Sequence, residues 1–578
     1  MTSSWPANGF RVAARRRQQL TAVLAVTALV LVGCSSKSSK NDGTGKGGPH
    51  RGGTLTLLAP ADPGSVDPAI NYGTFWAQLI LTNDGLLAFK KVGGVAGTEI
   101  VPDLATDVPT ATDGGKTYEF HLRKGIKYSD GSDLKASDFK NTIERMFKVN
   151  GPTTAGFYSV FVGADKCLAT PATCDLSPGI VTDDAAGTIT VHLNAPDPEF
   201  FDKLALPFAF VVPPNSPNTD AGTKPLGGTG PYMFAEYTSG RQVVLKRNPL
   251  FKVWSKDAQP DGYPDSIVLK LGLDLEAAVT QVENGQADGI INVPVFPPDR
   301  LNEISTKYAA QTHVNPATAI FFMTQNVNVA PFNNLQVRQA VNFATDRNAL
   351  VKIVGGPKLA VPSCQVLPPD FPGYEQYCPY TINPASDGKG PWTGPDMAKA
   401  QALVDASGTK GMQITIVNPT IPQAQSFGLY FVGLLNKLGY KASQKLLSPP
   451  VADAFVKNSR NKVQMNLQVW YQDYPAASDF LNVLTGCGSF HPNSDANANV
   501  AEFCDKTIQA KMDKALALQS TDPAAANPVW AEVDRDVTDA APFVVAVNPK
   551  TVTFVSKRVQ NFLYNPQWFW LLSQSWVK

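Results

Sequence analysis

Residues 118–146 read YEFHLRKGIKYSDGSDLKASDFKNTIERM. Tyr118, Phe120 and Leu122 alternate with Glu119, His121 and Arg123, the period-two pattern of a strand with one buried face. Asp130-Gly131 is a tight-turn pair, because glycine supplies the positive φ that such turns require. Beyond it Phe139, Ile143, Met146 and Phe147 recur at helical spacing, and Ser137 or the residues just before it can cap that helix. The stretch therefore predicts strand, turn and amphipathic helix, a unit of an α/β domain.

The chain around it has 578 residues, more than one hydrophobic core usually organises, so two or more lobes are expected. Apolar residues make up 43% and charged residues 17%, the balance of a globular protein. With 45 Gly and 46 Pro, many ordered loops should join the elements. The formal net charge is +1, but Arg11, Arg15, Arg16 and Arg17 lie in a leader that contains no acid, and without them the chain stands at −3. Such a chain lacks the basic surface expected of a nucleic-acid binder.

The leader reads as an export signal. Its apolar run, residues 20–32, is shorter than the roughly 20 residues that span a bilayer but suits the core of a signal peptide, predicted over 1–33. It ends in Leu31-Val32-Gly33-Cys34, which resembles the lipobox of bacterial lipoproteins and implies cleavage before Cys34 and lipidation of its sulfur. Arg16-Arg17 hints at twin-arginine export, with a poor match downstream. Residues 34–52, rich in Ser, Lys and Gly, read as a flexible tether reaching roughly 25 Å. In an exported chain the remaining cysteines should form disulfides. Proximity favours Cys167 with Cys174, Cys364 with Cys378 and Cys487 with Cys504, while other connectivities stay open. No C-x-x-C occurs, so no metal site is expected.

The opening stretch also carries a family pattern. Phe120, Leu122, Arg123, Gly125, Ile126, Tyr128, Asp130, Gly131, Leu134, Ala136 and Asp138 match "F-x-L-R-x-G-[IV]-x-[YF]-x-D-G-x-x-[LF]-x-A-x-D", which resembles the motif of the extracytoplasmic solute-binding proteins, family 5, of peptide and nickel ABC importers. Further matches follow in order: Gly52-Gly53-Thr54-Leu55, Asp84-Gly85-Leu86-Leu87, Val101-Pro102-Asp103-Leu104-Ala105, Gly228-Thr229-Gly230-Pro231-Tyr232 and Gly285-Gln286-Ala287-Asp288. Pro331-Phe332-Asn333-Asn334 resembles the family's next helix start, with Asn334 where Asp is usual, and Asp346-Arg347 reads as closing that helix. The resemblance implies an α/β, two-lobed periplasmic-binding-protein-like fold of type II with an extra subdomain inserted in the first lobe. The expected boundaries are 53–98, 225–314 and the return segment 543–578 for the first lobe, 99–224 for the insert and 315–542 for the second lobe. Along the way a helix over 274–284 should turn Ala277, Ala278 and Val282 inward. A buried strand is expected over 319–323, another over 463–470, and two short strands over 543–548 and 551–554.

Catalytic patterns are absent. Neither G-x-S-x-G nor H-E-x-x-H occurs, and Gly115-Lys116-Thr117 lacks the upstream glycine of a phosphate loop, with Thr110 in its place. No enzyme activity and no cofactor are expected. Trp470-Tyr471-Gln472-Asp473-Tyr474-Pro475 sets an acid among aromatics at a strand end, where a carboxylate loses solvation unless a cation meets it. The segment resembles the "W-x-x-D-[YF]" of oligopeptide binders. That implies Asp473 as partner of a peptide's α-amino group, with Trp470 and Tyr471 lining the site and the neighbouring strand pairing with the peptide backbone. The other reading is that Asp473 caps a following helix through Ala477 and Phe480. Asn71 and Tyr72 stand where the family's first-lobe loop meets ligand, or only begin a helix. The implied partners are a peptide and the ABC permease subunits, and the implied place is the extracytoplasmic face of the cell membrane, as a lipid-anchored monomer. A nickel chelate, a sugar or an opine as ligand, or a surface sensor or adhesin of the same fold, are the alternatives.

Overall fold

The structure, a computed structural model, describes residues 51–73, 75–292, 296–495 and 497–578. Cys34, the expected signal peptide and nearly all of the expected tether lie outside the described residues.

Two five-stranded sheets organise the chain. In the first, Thr54–Ala59 runs parallel to Gly289–Ile290 on one side and to Ser266–Leu271 on the other, and Gln242–Arg247 and Tyr232–Thr238 continue the sheet antiparallel. The parallel neighbours need crossover connections, and one of them, residues 60–265, holds most of the first lobe. The glycines of Gly228-Thr229-Gly230 permit a close approach, since a Cβ at Gly228 or Gly230 would fall on the carbonyls of Thr82 or Leu81. The second sheet is antiparallel, in the order Thr312–Pro316, Phe543–Phe554, Ala319–Thr324, Leu467–Tyr471, with Ala360–Pro362 beside Phe543–Phe554.

The stretch that opened the sequence reading folds as strand Thr117–His121, a turn with Gly131 at φ +93°, and helix Ala136–Val149. Tyr118 and Phe120 face inward, as do Phe139, Ile143, Met146 and Phe147. The strand pairs with Thr188–His192, which pairs with Ile180–Asp183. This third sheet buries its side chains in the same cluster as Leu55 and Leu57 of the first sheet. Ser137 lies inside the helix and not at its cap. Lys135 occupies the cap, and its N–H is taken by the Asp138 carboxylate at 3.0 Å.

Several expectations change in detail. Helix Leu275–Glu283 buries Ala278, Val279 and Val282, while Ala277 is exposed, because Val279 rather than Ala277 shares the stripe with Val282. Asp346 does not close helix Leu335–Ala344. Its carboxylate accepts the Ala349 N–H at 3.2 Å and starts a second helix, Arg347–Val354. The two short strands expected near the C-terminus are one, Phe543–Phe554. Pro549 marks where that strand changes partner, from Ala319–Thr324 to Thr312–Pro316, and a missing N–H is tolerated at such a switch. The expected return to the first lobe at residue 543 is therefore displaced, since this whole strand belongs to the second sheet. The lobes join beyond it, where Val555 bridges Gly289 and the Ser556 N–H donates to the Asp288 carbonyl at 2.9 Å. The aromatic tail then packs Trp568, Trp570 and Leu572 into the first-lobe cluster.

The disulfides join Cys167 with Cys174, Cys364 with Cys378 and Cys487 with Cys504, the three pairs that proximity favours. Among the described residues no helix is long and apolar enough to cross a membrane.

Candidate interlobe ligand site

Strand Leu467–Tyr471 forms an edge of the second sheet, with Tyr471 opposite Ala319 and Val469 opposite Phe321. The Gln472 N–H donates to the Thr318 carbonyl at 3.0 Å. By the alternation of an antiparallel ladder, Trp470 shares that bonded parity, and the main-chain groups of Val469 and Tyr471 point away from the sheet. Nearer the strand's start the edge is covered, since the Val417 N–H donates to the Met465 carbonyl at 3.0 Å and the Leu467 N–H to Asn418 Oδ1 at 2.9 Å. The open portion leads to Asp473.

Asp473 is 6% exposed. Its Oδ2 accepts the Tyr72 hydroxyl at 2.7 Å, its N–H donates to Asp479 Oδ2 at 2.8 Å, and its carbonyl accepts Gln567 Nε2 at 2.7 Å. Among the described residues no cation acts on either carboxyl. Burial, opposed by the Tyr72 hydrogen bond, pushes Asp473 up to about 7. Burial and the Asp473 charge push Asp479 well above the carboxylate range, against the pull of the Asp473 N–H bond. Two buried carboxyls therefore adjoin with no counter-charge, which is costly unless a proton or a cation joins them.

The cavity at Asp473 has a volume of about 430 Å³ and is walled by Tyr72, Trp76, Trp470, Tyr471, Trp568 and Phe569. It shares Asn292, Tyr471, Trp568 and Phe569 with a second chamber of about 220 Å³ that runs past Phe321 toward Thr551. No Lys, Arg or His lines the first cavity among the described residues.

The structure brings Tyr72 and Asp473 together across 401 positions of sequence. The Tyr72 ring packs on Trp76 and Phe208, with centroids at 6.0 and 5.7 Å. Tyr471 projects into the cavity, 46% exposed, and Trp470 leans on the cluster of Ile320 and Phe480. Asn71 serves the loop instead. Its buried amide donates to the Ser65 carbonyl at 2.7 Å and its Oδ1 accepts the Phe75 N–H at 3.0 Å, which ties the loop together ahead of the helix Trp76–Thr82, whose cap position is Phe75. The reading of Asp473 as a helix cap does not hold, because helix Ala477–Thr485 has Ala476 at its cap and no side-chain cap bond.

Sequence reasoning missed Asp479, Glu199 and Gln567. Glu199 accepts the Tyr474 hydroxyl at 3.0 Å and the Ser478 hydroxyl, tying the segment after Asp473 to the first lobe. No local pattern marks Glu199 for this role, since the two hydroxyls it accepts lie more than 270 positions away. Asp479 had a usable signal, a second acid six residues beyond Asp473.

Known proteins resemble this chain over most of its length. The family model described as bacterial extracellular solute-binding proteins, family 5, matches residues 99–492, more than half of the chain. The chain belongs to that family. Its members are solute-binding proteins and not enzymes, and this chain stands with them. Di/tripeptide-binding protein 1 of Pseudomonas aeruginosa is 25% identical over 544 residues, 89% of this chain and 92% of that protein. Heme-binding protein A of Haemophilus influenzae is 24% identical over 94% of this chain and 96% of its own length. Among solved structures, the clavulanic acid biosynthesis oligopeptide binding protein 2 superposes with a TM-score of 0.81 at 25% identity, over 91% of this chain and 96% of that one. DppA of Helicobacter pylori, solved with the peptide STSA, gives 0.69 at 20% identity over 91% and 98%, a likeness of fold.

Proposed function

We propose that this chain is the extracytoplasmic peptide receptor of an ABC importer, held at the membrane by a lipid on Cys34 and passing its ligand to the permease. The observation that carries the reading is Asp473: a buried carboxyl without a counter-charge, at the end of an open strand edge, in an aromatic cavity between two lobes. A peptide's ammonium supplies the missing charge. Its backbone pairs with the outward main-chain groups of Val469 and Tyr471, a mode in which hydrogen bonds give affinity and pockets give preference. Tyr72 from the first lobe, bonded to the same carboxylate, closes the site from above, in keeping with lobe closure about the Asp288–Ser556 junction. The names of the relatives that bind di- and tripeptides support the ligand class. Mass spectrometry of the ligand that co-purifies with the protein tests it directly. A molecule with a free primary amine and peptide bonds is expected, and a ligand with no amine sinks the reading.

Affinity should depend on pH in a stated direction. Without ligand the Asp473 carboxyl is raised to about 7, so below that value a proton must leave before an ammonium can pair with it. Binding therefore weakens as pH falls through 7, by about tenfold per unit at most, while the peptide amine stays charged up to roughly pH 7.7–8. Calorimetry at pH 5.5 and 7.5 should show at least about a tenfold loss at the lower pH. Asp473→Asn should flatten the profile, and a flat profile in the wild type contradicts the assignment.

For the anchor, Cys34→Ala should release the protein from the membrane fraction or leave the leader uncleaved. Unchanged membrane association with unchanged electrophoretic mobility would remove the lipoprotein reading.

A further inference from the structure

Behind the amine cavity lies a larger one, with a volume of about 980 Å³, within the range of small-molecule sites. Thr318, Gln472 and Pro566 line both cavities. The partition is hydrogen-bonded, with Gln472 Nε2 donating to the Pro566 carbonyl at 3.2 Å and to Gln567 Oε1 at 2.8 Å. Both lobes contribute to the larger cavity, Gly94, Val95 and Asp202 from the first and residues 369–375 with Ala524, Asn527 and Pro528 from the second.

Its chemistry has one sign. The acids Asp202, Asp370 and Glu375 line it, with Phe371, Tyr374 and Tyr564 as aromatic faces, and no Lys, Arg or His lines it among the described residues. Glu375 is already paired with Lys389 and Arg535. Asp202 differs, because its carboxylate accepts no hydrogen bond and joins no ion pair among the described residues. The adjacent Lys203 ammonium is committed to Asp197 at 2.7 Å and Glu199 at 3.7 Å. Burial and then Glu199 push the Asp202 carboxyl up to about 8, against the pull of Lys203.

We propose that this second interlobe cavity binds an organic cation, an ammonium or guanidinium on an apolar stem, with Asp202 as its counter-charge and the aromatic faces of Tyr374 and Tyr564 around the stem. Guanidinium is the better fit, since its plane stacks on aromatic rings while its edge pairs with a carboxylate. The cation has two sources: the side chain of the ligand whose amine meets Asp473, reached past Gln472, or a separate small molecule. The first source rests on the peptide reading above, and the second does not.

Calorimetry on the full chain separates them, with Asp202→Asn, Asp473→Asn and wild type titrated with Arg-Ala-Ala, its citrulline analogue and agmatine alone. Citrulline keeps the shape of arginine and removes the charge. If the cation is a ligand side chain, wild type prefers the arginine peptide by about tenfold or more, Asp202→Asn abolishes that preference, and Asp473→Asn weakens both peptides alike. If it is a separate molecule, agmatine binds wild type and loses about tenfold or more in Asp202→Asn, while Asp473→Asn leaves at least part of that binding. Agmatine binding that depends on Asp202, with neither peptide bound, keeps the cavity and discards the peptide reading. Agmatine and arginine-peptide affinities that are the same in wild type and in a folded Asp202→Asn overturn the proposal. A rise in affinity for the Asp202→Asn variant does so equally.

Discussion

Asp473→Ala lowers the affinity for a peptide with a free amino terminus by about 2 to 5 kcal/mol, roughly thirtyfold to a few thousandfold, and leaves the fold intact. The first half follows from the surroundings of the carboxylate. It is buried and, among the described residues, has one neutral hydrogen-bond donor in Tyr72 and faces a second carboxyl, Asp479, with no cation acting on either. An ammonium brought into that cavity on binding leaves water and keeps its charge only if this carboxylate meets it. The second half follows from the same facts, because an uncompensated buried acid costs stability and its removal also ends its repulsion of Asp479. The melting temperature of the unliganded variant should be unchanged or higher. The Asp473 N–H and carbonyl bonds to Asp479 and Gln567 are main-chain bonds and survive the substitution. Acetylating the peptide's amine should harm wild-type binding by a similar factor and add little in the variant, since both changes delete one interaction. Equal affinity of the wild type for free and acetylated peptide would remove Asp473 from the role. Tyr72→Phe should cost less, about 0.5 to 1.5 kcal/mol, the worth of a single hydrogen bond.

The pieces legible in the sequence are those whose signal is local. Period-two alternation located Thr117–His121, an unbroken apolar run located Ala319–Thr324, and turn chemistry located Gly131. Asp473 was visible because an acid between aromatics contradicts its own neighbourhood. Of its surroundings only Tyr72 was marked, by its position in the family pattern, while Glu199 and Gln567 reach its segment only through lobe packing. Asn71 shows another limit of local reading. Its position in the family pattern marks it as near the ligand, while the bonds it makes to Ser65 and Phe75 within its own loop have no local sequence signal. The single strand Phe543–Phe554 was hidden by Pro549, which reads as a break in sequence but sits where one pairing partner hands over to another.

The loop that presents Tyr72 hangs on one ion pair, and its loss should be the largest stability effect of a single substitution near the site. Asp67 is fully buried and Arg145 nearly so. The pair is bidentate, Nη1 to Oδ1 at 2.9 Å and Nη2 to Oδ2 at 2.5 Å, and the Asp67 carboxylate also accepts the N–H groups of Ala69 at 3.1 Å and Ala221 at 3.0 Å. Arg145 further donates to the carbonyls of Pro217 at 2.6 Å and Thr219 at 3.2 Å. The helix Ala136–Val149 thus grips both the loop after Thr54–Ala59 and residues 217–221. Asp67→Ala strands a buried guanidinium with carbonyls alone, and should cost about 3 to 5 kcal/mol in chemical denaturation. Because the Ala69 and Ala221 N–H groups lose their acceptor, Tyr72 should lose its register too, and peptide affinity should fall by about the same margin as in Tyr72→Phe. A loss below about 1 kcal/mol would mean that the loop is held by its apolar contacts instead. Changing both partners together, Asp67→Leu with Arg145→Met, should recover much of the stability, since a buried pair replaced whole by packed apolar side chains is often neutral. It should not recover binding, because leucine supplies no acceptor for the Ala69 and Ala221 N–H groups that set the loop beneath Tyr72.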